Sequence, residues 1–399
     1  MNHTKESIEN KENLFRELSA DRTIDYEHEH EHDIRHKGDG TAARSSDRIM
    51  AALAVCETQW VSRRGRSVMR RIIQVGVGGM GSGWTDRIAE SDQWEAAAYV
   101  DVNKKNLMVA AERHGLPRNR CFTDLDAALN RIEADALLDV TPQQFRRGVC
   151  ENALRRGLHV MSEKPLADSL RNAQAIVACA KKCRRTYMVA QNYRYQPVVQ
   201  TVKRFIKQGR LGDVGYVGVN FHKGPHFGGF REEMAYPLVL DMSIHHFDLM
   251  RCLFDADVRF VEAASVNAPW NWNKGDATIM AQLELDNGVV VNYFASWVAT
   301  GWETGWNADW RFEGSKGVLL WEGDQVALSS APQKKRTVPL VKWPKAHQAY
   351  LLEAFARALD TGIEPETSGR RNLNSLAATY AVVRTAKERK RIKVRDLLG

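Results

Sequence analysis

Three side chains of this sequence have the chemistry to move a proton and assist a hydride transfer. Lys164 follows an apolar, strand-like run at residues 158–161, and Asp241 and His245 stand four residues apart further along the chain. A lysine at the carboxyl end of a buried parallel strand lies where open α/β sheets bind their ligands. Its ammonium group can stabilise a developing alkoxide, and an imidazole can accept a hydroxyl proton. Together with a glycine turn upstream, these residues indicate hydride-transfer chemistry.

The glycine turn is suited to a dinucleotide. Gly76, Gly78 and Gly81 form the pattern G-x-G-x-x-G between a predicted strand and a predicted helix, with Gly79 and Met80 inside it. The first glycine permits a tight turn, and the second lets the backbone approach a pyrophosphate. The third allows the helix to pack closely on the strand. A plain structural turn is the alternative, because glycine turns are common.

An acidic residue after the next predicted strand supports dinucleotide binding. Asp101 lies 20 residues after Gly81, where a carboxylate accepts hydrogen bonds from the adenosine ribose hydroxyls. Because that carboxylate would repel a 2′-phosphate, the sequence favours NAD. Lys104 and Lys105 lie close enough in sequence to leave NADP open.

The remaining candidates each have an ordinary structural alternative. Thr141-Pro142 ends a predicted strand, where it forms either a wall beside the cofactor or a simple strand stop. Asp241 and His245 share one face if their segment is helical, but a local ion pair or a buried histidine would fit the same spacing. His246 points in another direction and is the weaker candidate.

Aromatic residues near the end of the chain favour a carbohydrate-like ligand. Trp302 and Trp306 lie in a glycine-bearing stretch and are less obviously core residues than the other late tryptophans. Flat aromatic faces suit the C–H faces of sugars.

Several histidines raise the alternative of a metal site. A catalytic zinc needs three convergent ligands. The sequence contains neither H-E-x-x-H nor paired-cysteine spacing, so we predict no metal. The residues considered for this site are His222, His226, Asp241, His245 and His246.

The elements that must position these residues fall into two predicted domains. From residue 69 to 192, strands and helices alternate as in a doubly wound parallel sheet, the fold of a Rossmann NAD(P)-binding domain. From 193 to 399, the pattern predicts an α+β domain with a large, open, mostly antiparallel sheet. The tripeptide Asp286-Asn287-Gly288 predicts a hairpin in that sheet. Residues 1–68 are polar and charged, and we expect a disordered N-terminal extension.

Composition limits the classes of function. The chain has 399 residues, 44% of them hydrophobic and 27% charged, as in ordinary soluble enzymes. Its formal charge of +8 is dispersed over predicted helices, which favours anionic cofactors over nucleic acid. The apolar runs are too short to cross a membrane. Six scattered cysteines without CxxC pairs fit a reducing cytoplasm.

Taken together, the motifs resemble those of the Gfo/Idh/MocA oxidoreductases, named for glucose–fructose oxidoreductase and inositol dehydrogenase. The resemblance covers about residues 69–399. It depends on the glycine turn, Thr141-Pro142, Glu163-Lys164-Pro165, Asn192-Tyr193-Arg194 with Pro197, the segment from Asp241 to Asp248, and residues 364–369. Two positions depart from the family pattern: Arg146 stands where a histidine is frequent, and Ser243 stands where a glycine is frequent.

This resemblance implies roles for individual residues. By position, Lys164, Asp241 and His245 match the family's catalytic lysine, aspartate and histidine. The cofactor-binding set is then Gly76, Gly78, Gly79, Met80, Gly81, Asp101, Thr141, Pro142, Glu163, Lys164 and Asn192. The substrate-binding set is Tyr193, Arg194, His246, Trp302 and Trp306. The open sheet commonly mediates oligomerisation in this family, which implies a homodimer or homotetramer.

We therefore expect an NAD(P)-dependent dehydrogenase or reductase acting on a sugar, a polyol or a related alcohol. His245 would accept the hydroxyl proton while Asp241 orients it, and Lys164 would hydrogen-bond the same oxygen. Two alternatives stay open on sequence alone: an NAD-using glycosidase on the same fold, and a non-catalytic sensor that binds a dinucleotide and a partner protein.

Overall fold

The computed structural model describes residues 69–329, 335–345 and 347–399. The expected N-terminal extension at residues 1–68 lies outside the described residues.

The first sheet is parallel and has six strands in the order β3-β2-β1-β4-β5-β6. This is the order of a doubly wound dinucleotide-binding sheet, in which the direction of winding reverses between β1 and β4. The predicted fold of this region is confirmed. The strands are β1 (Arg70–Val75), β2 (Trp94–Val100), β3 (Cys121–Phe122), β4 (Ala136–Asp139), β5 (His159–Ser162) and β6 (Tyr187–Val189).

Five helices connect these strands, and the polar residues at their starts explain where most of them begin. Asn103, Asp124 and Ser169 each accept a hydrogen bond from a first-turn N–H group, which satisfies a donor without a partner inside the helix. The helices are α1 (Met80–Ala89), α2 (Lys104–His114), α3 (Leu125–Arg131), α4 (Arg146–Arg155) and α5 (Leu170–Cys183). Helix α1 is different because Gly79 precedes it and no side chain caps it.

The second sheet has nine strands in the order β14-β13-β12-β11-β7-β10-β9-β8-β15. Among the described strands of this sheet, only β7 and β10 pair in parallel, so the prediction of a mostly antiparallel sheet is also confirmed. The strands are β7 (Val214–His222), β8 (Val258–Val266), β9 (Thr278–Leu285), β10 (Val290–Ser296), β11 (Asp309–Gly314), β12 (Gly317–Glu322), β13 (Gln325–Ser329), β14 (Arg336–Val338) and β15 (Ile392–Lys393).

Local sequence signals explain part of this second sheet. The predicted hairpin joins β9 to β10, and Gly288 adopts the left-handed backbone conformation with φ of 88°. Strands β13, β14 and β15 were not predicted from the sequence. These strands are short and polar or lie beside charged residues, so their pattern is too weak to separate them from loops.

Four further helices accompany this sheet, and one of them returns to the first sheet. They are α6 (Pro197–Lys207), α7 (Ile244–Phe254), α8 (His347–Thr361) and α9 (Gly369–Glu388). The indole N–H of Trp94 on β2 donates to the carbonyl of Leu352 on α8, and Trp94 stacks on Phe355 at 5.3 Å. A division of the chain at residue 192 therefore does not divide the packing, because α8 covers part of the first sheet.

Two findings bear on the expected surroundings of the chain. Within the described residues, no helix is both long enough and apolar enough to cross a bilayer. The described cysteines are free thiols: Cys121, Cys150, Cys179, Cys183 and Cys252.

Candidate active site

The glycine turn has no room for larger residues at two of its positions. Gly76 has φ of +85°, and a Cβ atom there would lie 2.9 Å from the carbonyl oxygen of Val140. A Cβ on Gly81 would lie 2.2 Å from the carbonyl oxygen of Gly76. Gln74 braces the turn from β1, since its Nε2 donates to the carbonyls of Gly76 at 2.9 Å and Gly81 at 2.7 Å. Gln74 was not among the predicted site residues, because a polar residue in a strand gives no sign of this contact.

The outer side of the same turn is open. Space around Gly79 is free of other protein atoms within 4 Å of an added Cβ. Helix α1 begins there with no side-chain cap, and the N-terminus of a helix is a position where an anion is stabilised. Asp101 accepts hydrogen bonds from the backbone N–H groups of Val77 at 3.0 Å and Asn103 at 2.8 Å. An open turn beside a fixed carboxylate fits a dinucleotide.

A buried arginine joins two loops at the edge of the first sheet. Asp139 ends β4 and accepts hydrogen bonds from the backbone N–H of Thr141 at 2.8 Å and from its hydroxyl at 2.6 Å. Arg146 pairs with the same carboxylate and donates to the carbonyl oxygens of Thr141 and Pro165. Arg146 is therefore more than a variation in helix packing, because it ties the Thr141-Pro142 loop to the loop that carries Lys164.

A second contact fixes the residue before Lys164. The indole N–H of Trp84 on α1 donates to Glu163 Oε1 at 2.8 Å, and Glu163 Oε2 accepts from the backbone N–H of Lys164 at 3.0 Å. Glu163 thus connects the helix after the glycine turn to the candidate catalytic lysine.

Lys164 reaches across to the second half of the chain. Its Nζ donates to the main-chain oxygen of Asp241 at 2.8 Å and to Asp241 Oδ1 at 3.1 Å. The other carboxylate oxygen of Asp241 accepts from Arg231 Nε at 2.8 Å. Burial alone would raise the pKa of Asp241, but the charges of Lys164 and Arg231 outweigh it and lower this pKa well below its usual value. Asp241 is therefore ionised at neutral pH.

Asp241 lies in a π-helical turn, Leu238–Ser243, directly before α7. Such turns are rare and are frequent at functional sites. Arg231 was not among the predicted site residues. It belongs to a short loop helix at Gly229–Arg231, and only the folded structure brings it to the Asp241 carboxylate.

His245 is buried in the first turn of α7. Its Nδ1 lies 3.1 Å from Gln191 Nε2, and its ring stacks on Tyr193 with 4.0 Å between centroids. Burial and the positive charge of Lys164 hold the pKa of His245 well below its ordinary value, although Asp241 acts in the opposite direction. The imidazole is therefore neutral at neutral pH, as a proton acceptor must be.

The orientation of His245 differs from the expectation. We expected Asp241 to orient the ring, but the Asp241 carboxylate bonds Lys164 and Arg231, and Gln191 is the partner of Nδ1. The backbone explains this difference. The π-helical turn directs the Asp241 carboxylate to Lys164 and Arg231, and Gln191 lies directly before a short 3₁₀ helix that follows β6, which places it beside the imidazole.

The structure corrects the substrate-binding roles of two residues. His246 is fully buried, with Nδ1 2.8 Å from the Tyr293 hydroxyl and Nε2 3.0 Å from the carbonyl oxygen of Trp306. Both ring nitrogens are used, and burial lowers the pKa of His246 to about 4. Arg194 is also buried and forms a bidentate pair with Asp248. Neither side chain is available to a substrate.

The other predicted residues occupy varied positions. Tyr193 lies at the site because its ring stacks on the ring of His245. Burial raises the pKa of its hydroxyl to about 12. Trp306 is partly exposed, whereas Trp302 is fully exposed. Asn192 is partly buried in the short helix after β6. The hydroxyl of Ser243 is buried against the Tyr293 hydroxyl at 2.9 Å, so this departure from the family pattern faces the core.

Two family models match the chain. The model for the oxidoreductase family with an NAD-binding Rossmann fold matches residues 70–191, and the GFO/IDH/MocA C-terminal domain matches residues 199–320. The chain belongs to the Gfo/Idh/MocA family of oxidoreductases. The predicted family and its NAD-binding fold are thus confirmed.

Individual relatives of this Gfo/Idh/MocA protein cover most of its length. An uncharacterized protein of Sinorhizobium fredii, y4oX, is 27% identical over 82% of this chain and 96% of its own. D-apiose dehydrogenase of Paraburkholderia graminis is 27% identical over 77% and 84%. The crystal structure of an Agrobacterium radiobacter oxidoreductase with NAD+, L-tartaric acid and magnesium has a TM-score of 0.76, with 20% identity over 83% of this chain and all of that one.

The described residues also bear on the metal question. Among them, no three His, Cys, Asp or Glu side chains come together in an arrangement that could hold a metal ion.

Proposed function

We propose that this protein oxidises or reduces a hydroxyl-bearing carbon of a sugar, polyol or related alcohol with NAD. The observation that carries the proposal is the contact between Lys164, which follows β5, and Asp241, which lies in the π-helical turn before α7, 77 residues away. His245 lies close enough for the charge of Lys164 to lower its pKa. An ammonium group and a neutral imidazole therefore share one site.

In the oxidative direction, His245 accepts the hydroxyl proton at Nε2. Lys164 donates a hydrogen bond to the same oxygen and stabilises its developing negative charge. Asp241 and Arg231 hold Lys164 in place rather than receiving the proton, because the Asp241 carboxylate stays ionised. Bound NAD would supply the acceptor for the hydride of the carbinol carbon.

Gln191 completes the proposed arrangement of His245. An amide can present its oxygen or its NH2 group in the same space. If the Gln191 oxygen accepts a hydrogen bond from Nδ1–H, the lone pair of Nε2 is left for the substrate. The Gln191 NH2 group then faces Asn372, and the Asn372 amide must turn as well, so that its oxygen, which otherwise has no partner among the described residues, accepts from that group.

We further propose the cofactor residues predicted from sequence. The turn from Gly76 to Gly81 would bind the pyrophosphate through the N–H groups of Gly78, Gly79 and Met80, because those of Gly76, Val77 and Gly81 donate to other protein atoms. Asp101 would bind the adenosine ribose, which favours NAD over NADP. Met80, Thr141, Pro142, Glu163 and Asn192 would line the remaining cofactor surface. Residues 69–192 then form the NAD(P)-binding domain.

The substrate class draws support from a named relative and from the site. D-apiose dehydrogenase, one of the relatives, acts on a sugar by its name. The proposed site combines charged hydrogen-bonding groups with the aromatic rings of Tyr193 and Trp306, as sugar-binding sites do. Residues 193–399 would supply these substrate contacts, with Trp302 as an outer one.

We also propose a homo-oligomer in the cytoplasm. A groove of about 600 Å³ lies over the second sheet, lined by residues that include Asn220, Met280 and Phe294. Met280 is exposed on β9, and a paired sheet face would cover it. Light scattering should show a dimer or tetramer that Met280→Glu weakens. The free thiols fit a reducing compartment.

The test of the redox proposal has two steps. Fluorescence titration should show NAD binding more tightly than NADP. A panel of sugars and polyols should then produce absorbance at the band of the reduced nicotinamide. A glycosidase would instead release free sugar without net reduced cofactor, and a sensor would bind NAD with no product from any compound. Either of those results would overturn the redox proposal.

A further inference from the structure

An exposed group of aromatic side chains extends outward from the Asp241 carboxylate. Phe227, Phe230 and Trp306 have exposed fractions of 51%, 60% and 41%. We call these three residues the aromatic shelf. Soluble proteins rarely expose large apolar side chains in clusters, and such clusters commonly mark a binding surface.

One residue joins the aromatic shelf to the candidate catalytic centre. Arg231 donates to Asp241 Oδ2 at 2.8 Å, and its guanidinium carbon lies 4.9 Å from the centre of the Phe230 ring and 5.3 Å from that of Phe227. The same arginine therefore contacts the ion pair with Lys164 and two exposed rings. Arg231 thus places one end of the aromatic shelf beside the space proposed for the reacting carbon of the substrate.

A second connection reaches the shelf from the side of His245. Phe227 stacks on Trp306 with 6.4 Å between ring centres, and the main-chain oxygen of Trp306 accepts from His246, the neighbour of His245 in α7. Lys223 lies 5.1 Å above the Trp306 ring. Two independent sets of contacts thus hold the shelf beside the site.

We infer that the substrate carries a second ring, which packs on the aromatic shelf while its first ring is oxidised or reduced. The substrate class is then a glycoside whose aglycone is a sugar ring or an aryl ring, rather than a free monosaccharide. Both kinds of ring offer a flat face to Phe227 and Phe230. A free monosaccharide would fill the space at Lys164 and His245 and leave the three rings in water. This inference rests on the proposed redox function.

The experiment compares four forms of each sugar: free sugar, methyl glycoside, phenyl glycoside and disaccharide, in the gluco, galacto and xylo series. For the wild-type protein with NAD, kcat/KM should be about tenfold higher for the phenyl glycoside or the disaccharide than for the methyl glycoside. Whichever of the two is preferred identifies the second ring as aryl or sugar.

Variants then assign the preference to the shelf. Phe230→Ala and Phe227→Ala should bring the ratio of the two kcat/KM values close to one. Phe260→Ala is the matched control, because Phe260 also carries arginine side chains over its ring but lies on β8. It should leave the ratio at its wild-type value. Saturation-transfer NMR on the phenyl glycoside adds a binding measurement, in which the aglycone protons should lose signal in Phe230→Ala.

The outcomes separate this inference from the proposed function. Equal kcat/KM for all four forms, with no effect of Phe230→Ala, would overturn the second-ring inference and leave the redox function standing. No turnover of any compound in the three series, with no saturation transfer to any ring, would overturn both. Turnover of free sugars with a preference that survives both shelf variants would show that another surface selects the substrate.

Discussion

The two sides of the candidate site are held by contacts between different sets of elements. On the cofactor side, Asp139 binds Thr141 two residues away, and Val77 binds Asp101 across 24 residues. On the substrate side, Lys164 binds Asp241 across 77 residues, and Gln191 meets His245 across 54. The cofactor contacts thus stay among the strands, loops and helices of the first sheet, including the contact of Trp84 with Glu163 across 79 residues. The substrate contacts instead join the loops after β5 and β6 to α7 and the π-helical turn before it.

This difference predicts that changes on the two sides of the site will have separate effects. A change on the cofactor side should act through local loops and the stability of the first sheet. A change on the substrate side should remove chemistry while leaving both sheets and cofactor binding in place. The following experiments test this distinction.

The largest effect on activity is expected from Lys164 and His245, the two proposed catalytic residues on the substrate side. His245→Ala and Lys164→Ala should each lower kcat by about 10²–10⁴-fold, because each removes a group that acts on the reacting hydroxyl. The Kd for NAD of His245→Ala, measured by fluorescence titration, should stay within about threefold of wild type. Full turnover in both variants would contradict the assignment of the site.

A large stability effect is expected from the buried arginine on the cofactor side. Arg146→Ala leaves the Asp139 carboxylate buried without its cation, which should cost about 3–5 kcal/mol in the free energy of unfolding. Denaturant titration measures this change. Arg147→Ala is the matched control, because Arg147 is exposed and its partner Glu151 keeps a second cation, Arg155, so the loss should be under about 1 kcal/mol. Equal losses in the two variants would show that the buried pair is not what stabilises these loops.

A smaller effect is expected at the ribose carboxylate. Asp101→Asn keeps an oxygen for the N–H of Asn103 but loses the negative charge, so NAD should bind about tenfold more weakly. The affinity for NADP should fall less or rise, because the repulsion of its 2′-phosphate is removed. Titration of both dinucleotides checks this. An unchanged ratio of the two Kd values would place the ribose elsewhere.

The effect that is smallest at neutral pH concerns the buried His246, because its lowered pKa changes stability only in acid. Burial lowers its pKa from 6.5 to about 4, so the unfolded chain binds a proton that the folded chain excludes between these values. Its contribution to stability is therefore complete above pH 6.5 and falls by about 1.4 kcal/mol per pH unit as the pH drops toward 4. The pH dependence of the unfolding free energy should be shallower in His246→Asn than in wild type. Equal slopes would mean that His246 is protonated in the folded protein.

Much of the cofactor half could be predicted from the sequence. The glycine turn, Asp101 and Thr141-Pro142 follow predicted strands, and parallel strands bring their carboxyl ends to one edge of a sheet. The role of Arg146 could not be predicted, since its partners are the Asp139 carboxylate and the carbonyls of two loops. A side chain that reads as an ordinary helix residue gives no sign of these contacts.

The sequence by itself determined the alternation of strands and helices, the dinucleotide turn and the three residue types of the candidate centre, because these depend on local periodicity and spacing. Only the tertiary structure decided which of two neighbouring histidines has both ring nitrogens occupied. His245 and His246 are adjacent and chemically equal, yet Tyr293 and the carbonyl of Trp306 occupy both nitrogens of His246. The physical reason is that burial and distant hydrogen-bond partners, which no local pattern records, set the access and the pKa of each ring.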